Sequence, residues 1–581
     1  MFNITALVLC EEGGVYRAGY AYVQRDLCRA TALEYGLGAD DARAALDEVL
    51  QRLSLYPSDE ILLYLDIDAT LQDEPIEHLL LGERYSYVRT TKQIELDDQN
   101  RLFTKAFALH SLLTPIEHLG LQEQALASSA LALILDTYSL PTLQFDIQPH
   151  IDDRLYLGNS VLEQLDIISA DSSDSTLLKL LDRCQSGMGS RLFRDRLFNP
   201  ILNKQELEQR YNLIELLSPH QAKLSTIIAK IGDIELLLHD RHNCGIELKR
   251  SLIAFIELMH FTDTYNLYKY DFQIEDIESL IVRLSHTDRV LTEQYQRLIY
   301  EAINDIAKID VALSSAVVAK KHSLSRPMII DCKTNFLQII ALRHVVVESL
   351  GSQYVSQDIV MGDIEHLDLP YPKSVMLDRD VRDGHDLRGV LLYGINSSGK
   401  SSLIKSVAHA VILAQSGFFI PASAMKFRLF KSIFTRIKSY DDIQSKRSSF
   451  VVEMRELNNI LIRADDRSLV IADEISHGTE TASSIAIVGS CIIRLLQQKS
   501  MFFLTTHLHQ LLSIGRLQQL KGVSALHLNI EYDSTTNKLI YERILKAGAG
   551  RRLYGLEVAS ALKMDSAFLE LAKQIRDDIE L

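Results

Sequence analysis

The segment Gly394-Ile-Asn-Ser-Ser-Gly399-Lys400-Ser401 places two glycines, a lysine and a hydroxyl at the spacing of a phosphate-binding loop. It follows the apolar run Val390-Leu-Leu-Tyr393, which reads as a buried strand. It precedes Ser402-Leu-Ile-Lys-Ser-Val-Ala-His-Ala-Val-Ile-Leu, whose apolar residues recur at helical intervals. Strand, loop and helix come in the order such a loop needs. The glycines let the backbone curl until its N–H groups point at phosphate oxygens, the lysine brings positive charge to the terminal phosphates, and the serine hydroxyl reaches a magnesium ion. The candidate binding residues are therefore Gly394, Asn396, Ser397, Ser398, Gly399, Lys400, Ser401 and Ser402, and the implied occupants are a nucleoside triphosphate, ATP in the reading developed below, and Mg²⁺.

A second apolar run, Ser468-Leu-Val-Ile-Ala472, reads as a strand ending in Asp473-Glu474. Metal-assisted hydrolysis of a phosphoanhydride needs such a pair. Asp473 would hold Mg²⁺ through water, beside Ser401, and Glu474 would orient or deprotonate the attacking water. A strand ending in Asp-Glu is common by itself and gains meaning from the complete loop before it. A third strand, Met501-Phe-Phe-Leu-Thr505, ends in Thr506-His507. A histidine there has two readings: a partner of the γ-phosphate or the lytic water, or a solvent-facing residue forming an accidental His-x-His pair with His509. No third ligand of metal-binding type stands near, which argues against a metal site at that pair.

Taken together, the loop, Arg447-Ser-Ser-Phe-Val-Val-Glu-Met454, Leu469-Val-Ile-Ala-Asp-Glu-Ile-Ser-His-Gly-Thr-Glu-Thr481 and Thr505-Thr-His507 resemble the ATPase domain of the MutS family of DNA mismatch-repair proteins. Order and spacing match as well as residues. Ser432-Ile-Phe-Thr-Arg-Ile-Lys-Ser-Tyr-Asp-Asp-Ile443 and Tyr554-Gly-Leu-Glu-Val-Ala559 are further matches. The resemblance implies an ABC-type P-loop ATPase in which Glu474, His507 and Asn396 are catalytic, Asn396 also fixing the nucleotide. It implies that Ser448 reaches across a dimer to the partner's γ-phosphate, and that Tyr354 stacks on the adenine. Two departures stand out: the family's Asp-Glu-Ile-Gly-Arg-Gly-Thr is Asp473-Glu-Ile-Ser476-His477-Gly-Thr479, and its Gly-Pro-Asn-Met-Gly-Gly-Lys is Gly394-Ile-Asn-Ser-Ser-Gly-Lys400. The magnesium, lysine and acid positions survive.

The elements that must carry this site read as a multi-domain α/β plus all-α chain. Residues 1–148 are expected to form an α/β unit resembling the family's connector domain, with paired strands at Ile4–Leu9 and Gly19–Val23, a helix over 41–50 and a strand at Ile61–Leu65. Residues 149–335 resemble the helical lever and core domain. Leu177, Leu180 and Leu181, then Met188, Leu192, Phe193 and Leu197, recur at helical intervals as packing residues, and Pro200 and Pro219 mark breaks. Residues 336–581 are the ATPase domain with a C-terminal helical dimerisation segment. Leu65-Asp66-Ile-Asp68-Ala-Thr70 spells the nucleophile motif of haloacid-dehalogenase phosphatases, but the lysine and paired acids such chemistry needs cannot be placed.

Two family parts are expected to be missing. Mismatch-reading members begin with a domain whose Phe-x-Glu wedges into the duplex, whereas this chain opens on connector-like sequence. The strings Phe255-Ile-Glu257 and Phe568-Leu-Glu570 lie inside helical patterns, where an intercalating tip is not available. The long insertion that forms a DNA-gripping clamp is also reduced, and Lys320-Lys321 reads as a solvated helix end.

Composition sets outer bounds. At 581 residues the chain exceeds one hydrophobic core. A formal charge of −16 argues against a protein that coats nucleic acid over most of its surface, but leaves room for a local basic face. The six cysteines form no Cys-x-x-Cys pair, so neither a zinc site nor a disulfide framework is implied. No apolar run spans a bilayer and the start lacks a secretory signal, so an intracellular place, cytoplasm with nucleoid or nucleus, is expected. The combined expectation is an ATP-dependent MutS-like protein of DNA repair or recombination, working as a homodimer or as a heterodimer with another family subunit, with DNA as partner. The alternative is an ATP-driven protein adaptor, or a partner-dependent subunit, with no DNA binding of its own.

Overall fold

Alternate residues of Asn3–Glu12 (β1) face opposite ways: Ile4, Ala6 and Val8 enter one apolar cluster, Leu7 and Leu9 another. The computed structural model describes the chain except for residues 1–2, 26–27, 37–43, 57, 70, 80, 83–84, 110–113, 123, 141, 146–153, 159–160, 170–174, 240–243, 285–292, 352–353, 363–385, 396–397, 438–448, 477–479, 534–537, 551–555, 557–558, 561–563 and 581. It divides into two compact units. One comprises Met1–Asp153, Gln185–Arg191 and Ala222–Asp310; the other comprises Arg154–Cys184, Leu192–Gln221 and Val311–Leu581.

In the first unit β1, Val15–Gln24 (β2), Arg29–Tyr35 (β3), Glu60–Asp66 (β4), Tyr87–Arg89 (β5) and Gln144–Phe145 (β6) form one sheet in the order β5-β4-β1-β2-β3-β6. The pairs β1–β2 and β2–β3 are antiparallel; β1–β4, β4–β5 and β3–β6 are parallel. Helices Leu96–Phe107 and Ala125–Thr137 cover one face, and Ala44–Leu55 packs on the other. Gly19 permits this layering, because a Cβ there would lie 2.1 Å from the Leu126 backbone. Both paired strands, the helix and the β4 strand expected from sequence are present. Asp66 and Asp68 are exposed at the end of β4, and no cluster of three or more His, Cys, Asp or Glu side chains that could hold a metal ion occurs among the described residues.

The helical part of this unit is fixed by buried charge. Asp310, fully buried, accepts hydrogen bonds from Gln185 N at 3.0 Å, Ser186 N at 2.8 Å and Ser186 Oγ at 2.7 Å, satisfying the start of helix Gly187–Phe198. Arg191 bonds Asp233 and Glu235, and Glu235 also pairs with Arg29 of β3. Phe255 is buried within helix Cys244–Thr264.

The second unit carries two sheets. Its strands are Tyr156–Leu157 (β7), Met328–Ile329 (β8), Phe336–Leu342 (β9), Gln357–Gly362 (β10), Gly389–Tyr393 (β11), Ala424–Phe427 (β12), Ser432–Arg436 (β13), Ser468–Asp473 (β14), Met501–Thr506 (β15), Val523–Asp533 (β16) and Lys538–Ala547 (β17). The smaller sheet runs β10-β9-β12-β8 and the larger β17-β16-β11-β15-β14-β13-β7. In the larger sheet every neighbour pair is parallel except β16–β17. β11 and β15 are buried at every residue and β14 at all but its last, as expected of parallel strands covered on both faces. Helix Lys400–Ser416 is likewise buried almost all round, and Gly417, with φ +85°, ends it. Its polar residues are paired inside the core: His409 Nε2 donates to Leu165 O at 2.6 Å, and the Gln415 side chain bonds both N and O of Phe430. Lys320 and Lys321 are exposed in the last turn of helix Glu293–His322, the solvated helix end that the sequence implies.

Candidate active site

Parallel register brings the chemistry to one edge of the larger sheet. β11 lies between β15 and β16, and β14 pairs with β15 so that Asp473 is opposite Thr505. The carboxyl ends of β11, β14 and β15 therefore present Gly394, Asp473-Glu474 and Thr506-His507 on the same side, where open parallel sheets bind ligands.

The loop turns on two glycines with positive φ, Gly394 at +150° and Gly399 at +106°. A Cβ on Gly394 would sit 2.9 Å from Ser398 Oγ. Ser398 N donates to Ile395 O at 3.2 Å, closing the loop. Lys400, in the first turn of the helix, reaches back to Gly394 O at 2.6 Å and Ile395 O at 3.1 Å, with Glu474 Oε1 at 3.9 Å. Burial holds its ammonium below the ordinary lysine range, against the opposing pull of Glu474 and Asp473. Ser401 Oγ donates to Asp473 Oδ2 at 2.6 Å, and Ser402 is half-buried one residue further along. Asn396, Ser397, Ser448 and His477 lie outside the described residues, as does most of Tyr554–Ala559.

Thr505 was not singled out by sequence reasoning, yet it holds both acids. Its hydroxyl donates to Asp473 Oδ1, and it accepts from Glu474 N at 3.0 Å. The signal available for it was a polar residue ending a buried strand beside another that ends in Asp-Glu. Glu453 was also missed; its carboxylate accepts from Ser476 N at 2.6 Å. His507 is exposed just past β15, and the next turn is set by Leu508 N on Thr506 Oγ1 at 3.1 Å and by the His509 ring 5.3 Å from that of Tyr393. Tyr354 is placed with its ring 6.2 Å from that of His344 and its hydroxyl near Ser406 on the loop helix; burial pushes the phenol up to about 12.

These residues fit a nucleoside triphosphate with a divalent cation. The Ser398 hydroxyl is a buried polar group with no partner among the described residues, inside a loop too tight for a side chain at Gly394. Ser401 and Asp473 present oxygen donors, the ligand type a magnesium ion takes.

Comparison with known proteins agrees with this geometry. Residues 390–580 match the family MutS domain V. The chain is 33% identical over 299 residues to a mutS homolog of Acanthamoeba polyphaga mimivirus, covering 48% of this chain and 27% of that protein. It is 32% identical over 326 residues to the mitochondrial DNA mismatch repair protein mutS homolog of Sarcophyton glaucum, covering 55% and 30%. Against the DNA mismatch repair protein MutS of Bacteroides fragilis it is 30% identical over 330 residues, covering 55% and 35%. The match thus spans about a third of these relatives' length. Residues 390–580 are a MutS domain V, the ATPase domain, and about half of the chain is similar to MutS proteins.

Proposed function

We propose that the chain is an ATP-driven switch of DNA repair or recombination, binding and hydrolysing ATP at composite sites between two family subunits. The observation that carries the reading is the Ser401–Asp473 hydrogen bond beside the Gly394–Lys400 loop, which supports a preformed cation and phosphate site. Gly394 to Ser402 and Lys400 would hold the phosphates, and Ser401 and Asp473 the magnesium ion. Bound there, the nucleotide and its cation supply a γ-phosphoryl group with its charge neutralised. Glu474 would take the proton of the attacking water, Thr505 would keep Asp473 and Glu474 oriented, and His507 would face the γ-phosphate end. Asn396 would help fix nucleotide and water, Ser448 would complete the partner's site, and Tyr354 would lie against the base. The connector, lever and ATPase parts at 1–148, 149–335 and 336–581 would then transmit closure of the dimer.

The DNA clause is supported by the names of the relatives and is tested directly. The purified chain is incubated at low salt with homoduplex, single-mismatch and branched DNA, with and without ATP. The expected outcome is binding that responds to ATP and weakens steeply with salt. Absence of binding to all three would overturn that clause and favour a protein adaptor or partner-dependent subunit, a role the net charge of −16 would suit.

A further inference from the structure

The turn that carries the two acids is held in a conformation that side chains rarely adopt. Glu474 has φ +49° and Ser476 φ +64°. A left-handed residue other than glycine is strained, so such a turn persists only where its surroundings fix it. Among the described residues, three ties hold this one. Glu474 N is held by Thr505, Ser484 Oγ donates to Ser476 O at 2.6 Å, and Ser476 N donates to Glu453 Oε1 at 2.6 Å.

Glu453 is the charged member of the three. Its side chain is on helix Ser449–Arg463, the residue is 7% exposed, and its carboxylate faces the turn rather than solvent. A bond from a backbone N–H to an ionised carboxylate is about twice as strong as one between neutral groups. One turn along, Glu456 pairs with Arg436 at the end of β13, with Nε and Oε2 3.1 Å apart. The helix is thus anchored to the sheet by one acid and to the Asp473–Ser476 turn by another.

We propose that Glu453 is a positioning residue for ATP hydrolysis: it holds Ser476 N, and through that backbone aims Glu474 at the lytic water. The inference rests on the assignment of Glu474 as the lytic acid. Hydrolysis would then depend on the pose of helix Ser449–Arg463.

The test uses the full chain and three variants, E474Q, E453A and E453Q, with steady-state ATP hydrolysis and the affinity for a fluorescent non-hydrolysable ATP analogue as separate readouts. Expected are loss of turnover in E474Q with analogue binding kept, and in E453A a kcat lowered about 10- to 100-fold with analogue affinity unchanged. E453Q should recover most of the rate, because its amide oxygen still accepts from Ser476 N. Normal turnover by E474Q would overturn the Glu474 assignment and this inference with it. A dead E474Q beside a wild-type E453A would overturn the inference alone, as would an E453A that loses analogue affinity and rate together. Should E453A fail to fold, E453D carries the same comparison, since the shorter acid keeps the charge and loses the reach.

Discussion

Ser401 Oγ and Asp473 Oδ2 are 2.6 Å apart, joining the first turn of the loop helix to the end of β14 across 72 residues of sequence. Thr505 holds the other carboxylate oxygen, so Asp473 is clamped from both sides. An acid and a hydroxyl oriented together present two hard oxygen donors to one point. On the proposed reading, D473A abolishes the gain in nucleotide affinity that Mg²⁺ gives. Titrating an ATP analogue with Mg²⁺ and then with EDTA should weaken wild-type binding at least about tenfold, 1.4 kcal/mol, and leave the variant unchanged. An equal EDTA effect in both proteins would show that Asp473 does not serve the cation.

Ser476 occupies a left-handed position, φ +64°, where the resemblance expects glycine, and its hydroxyl is buried with no partner among the described residues. Replacing it by glycine removes the Cβ conflict and the unpaired hydroxyl while keeping the backbone N–H that bonds Glu453. S476G should stabilise the protein by about 1 kcal/mol, read as a rise in the thermal unfolding midpoint. A lower midpoint would mean that the serine side chain makes a contribution beyond these bonds.

The strands of the site were legible because parallel strands buried on both faces read as unbroken apolar runs, and Val390–Tyr393, Ser468–Ala472 and Met501–Thr505 are such runs. Lys400, Ser401 and Asp473, which the structure brings together, could be singled out in the sequence because the proposed chemistry leaves few substitutes. Thr505, Glu453 and Asp310 were not, because each acts through a backbone N–H or another side chain, and neither residue type nor periodicity marks such a partner. Asp310 and Ser186 are 124 residues apart, and nothing local in either segment requires the other. The unexpected pairing of β7 with β13 has the same origin: a two-residue strand carries no periodic signal.

That long-range clasp is itself testable at Gly189. A Cβ there would lie 2.2 Å from Asp310 Oδ2, and the carboxylate cannot retreat without leaving Gln185 N, Ser186 N and Ser186 Oγ unbonded. G189A should therefore destabilise the fold by about 2–3 kcal/mol, the combined scale of overpacking and a lost buried hydrogen bond. Denaturant unfolding followed by helical circular dichroism reads it. A wild-type midpoint would show that the segment Gln185–Arg191 shifts freely to accept the methyl group.

Two buried histidines set a pH limit on the ATPase unit. His409 lies inside the loop helix with Nε2 donating to Leu165 O, and His344 packs 5.0 Å from it, its Nδ1 accepting from Val347 N. Burial lowers His409 to about 4, with Lys405 also lowering it while Leu165 O and Asp166 oppose; burial, His409 and Lys405 lower His344 to about 3. An unfolded histidine titrates near 6.5. Between that value and about 4 the unfolded chain binds protons that the folded one refuses, so stability rises with pH across this window. The contribution is complete above the unfolded value and is lost as the pH falls through the folded ones. The thermal midpoint should accordingly drop on acidification from about pH 7 to about pH 5, and H409Q, whose amide can still donate to Leu165 O, should show a shallower drop. Equal slopes in both proteins would assign the acid sensitivity to groups outside this pair.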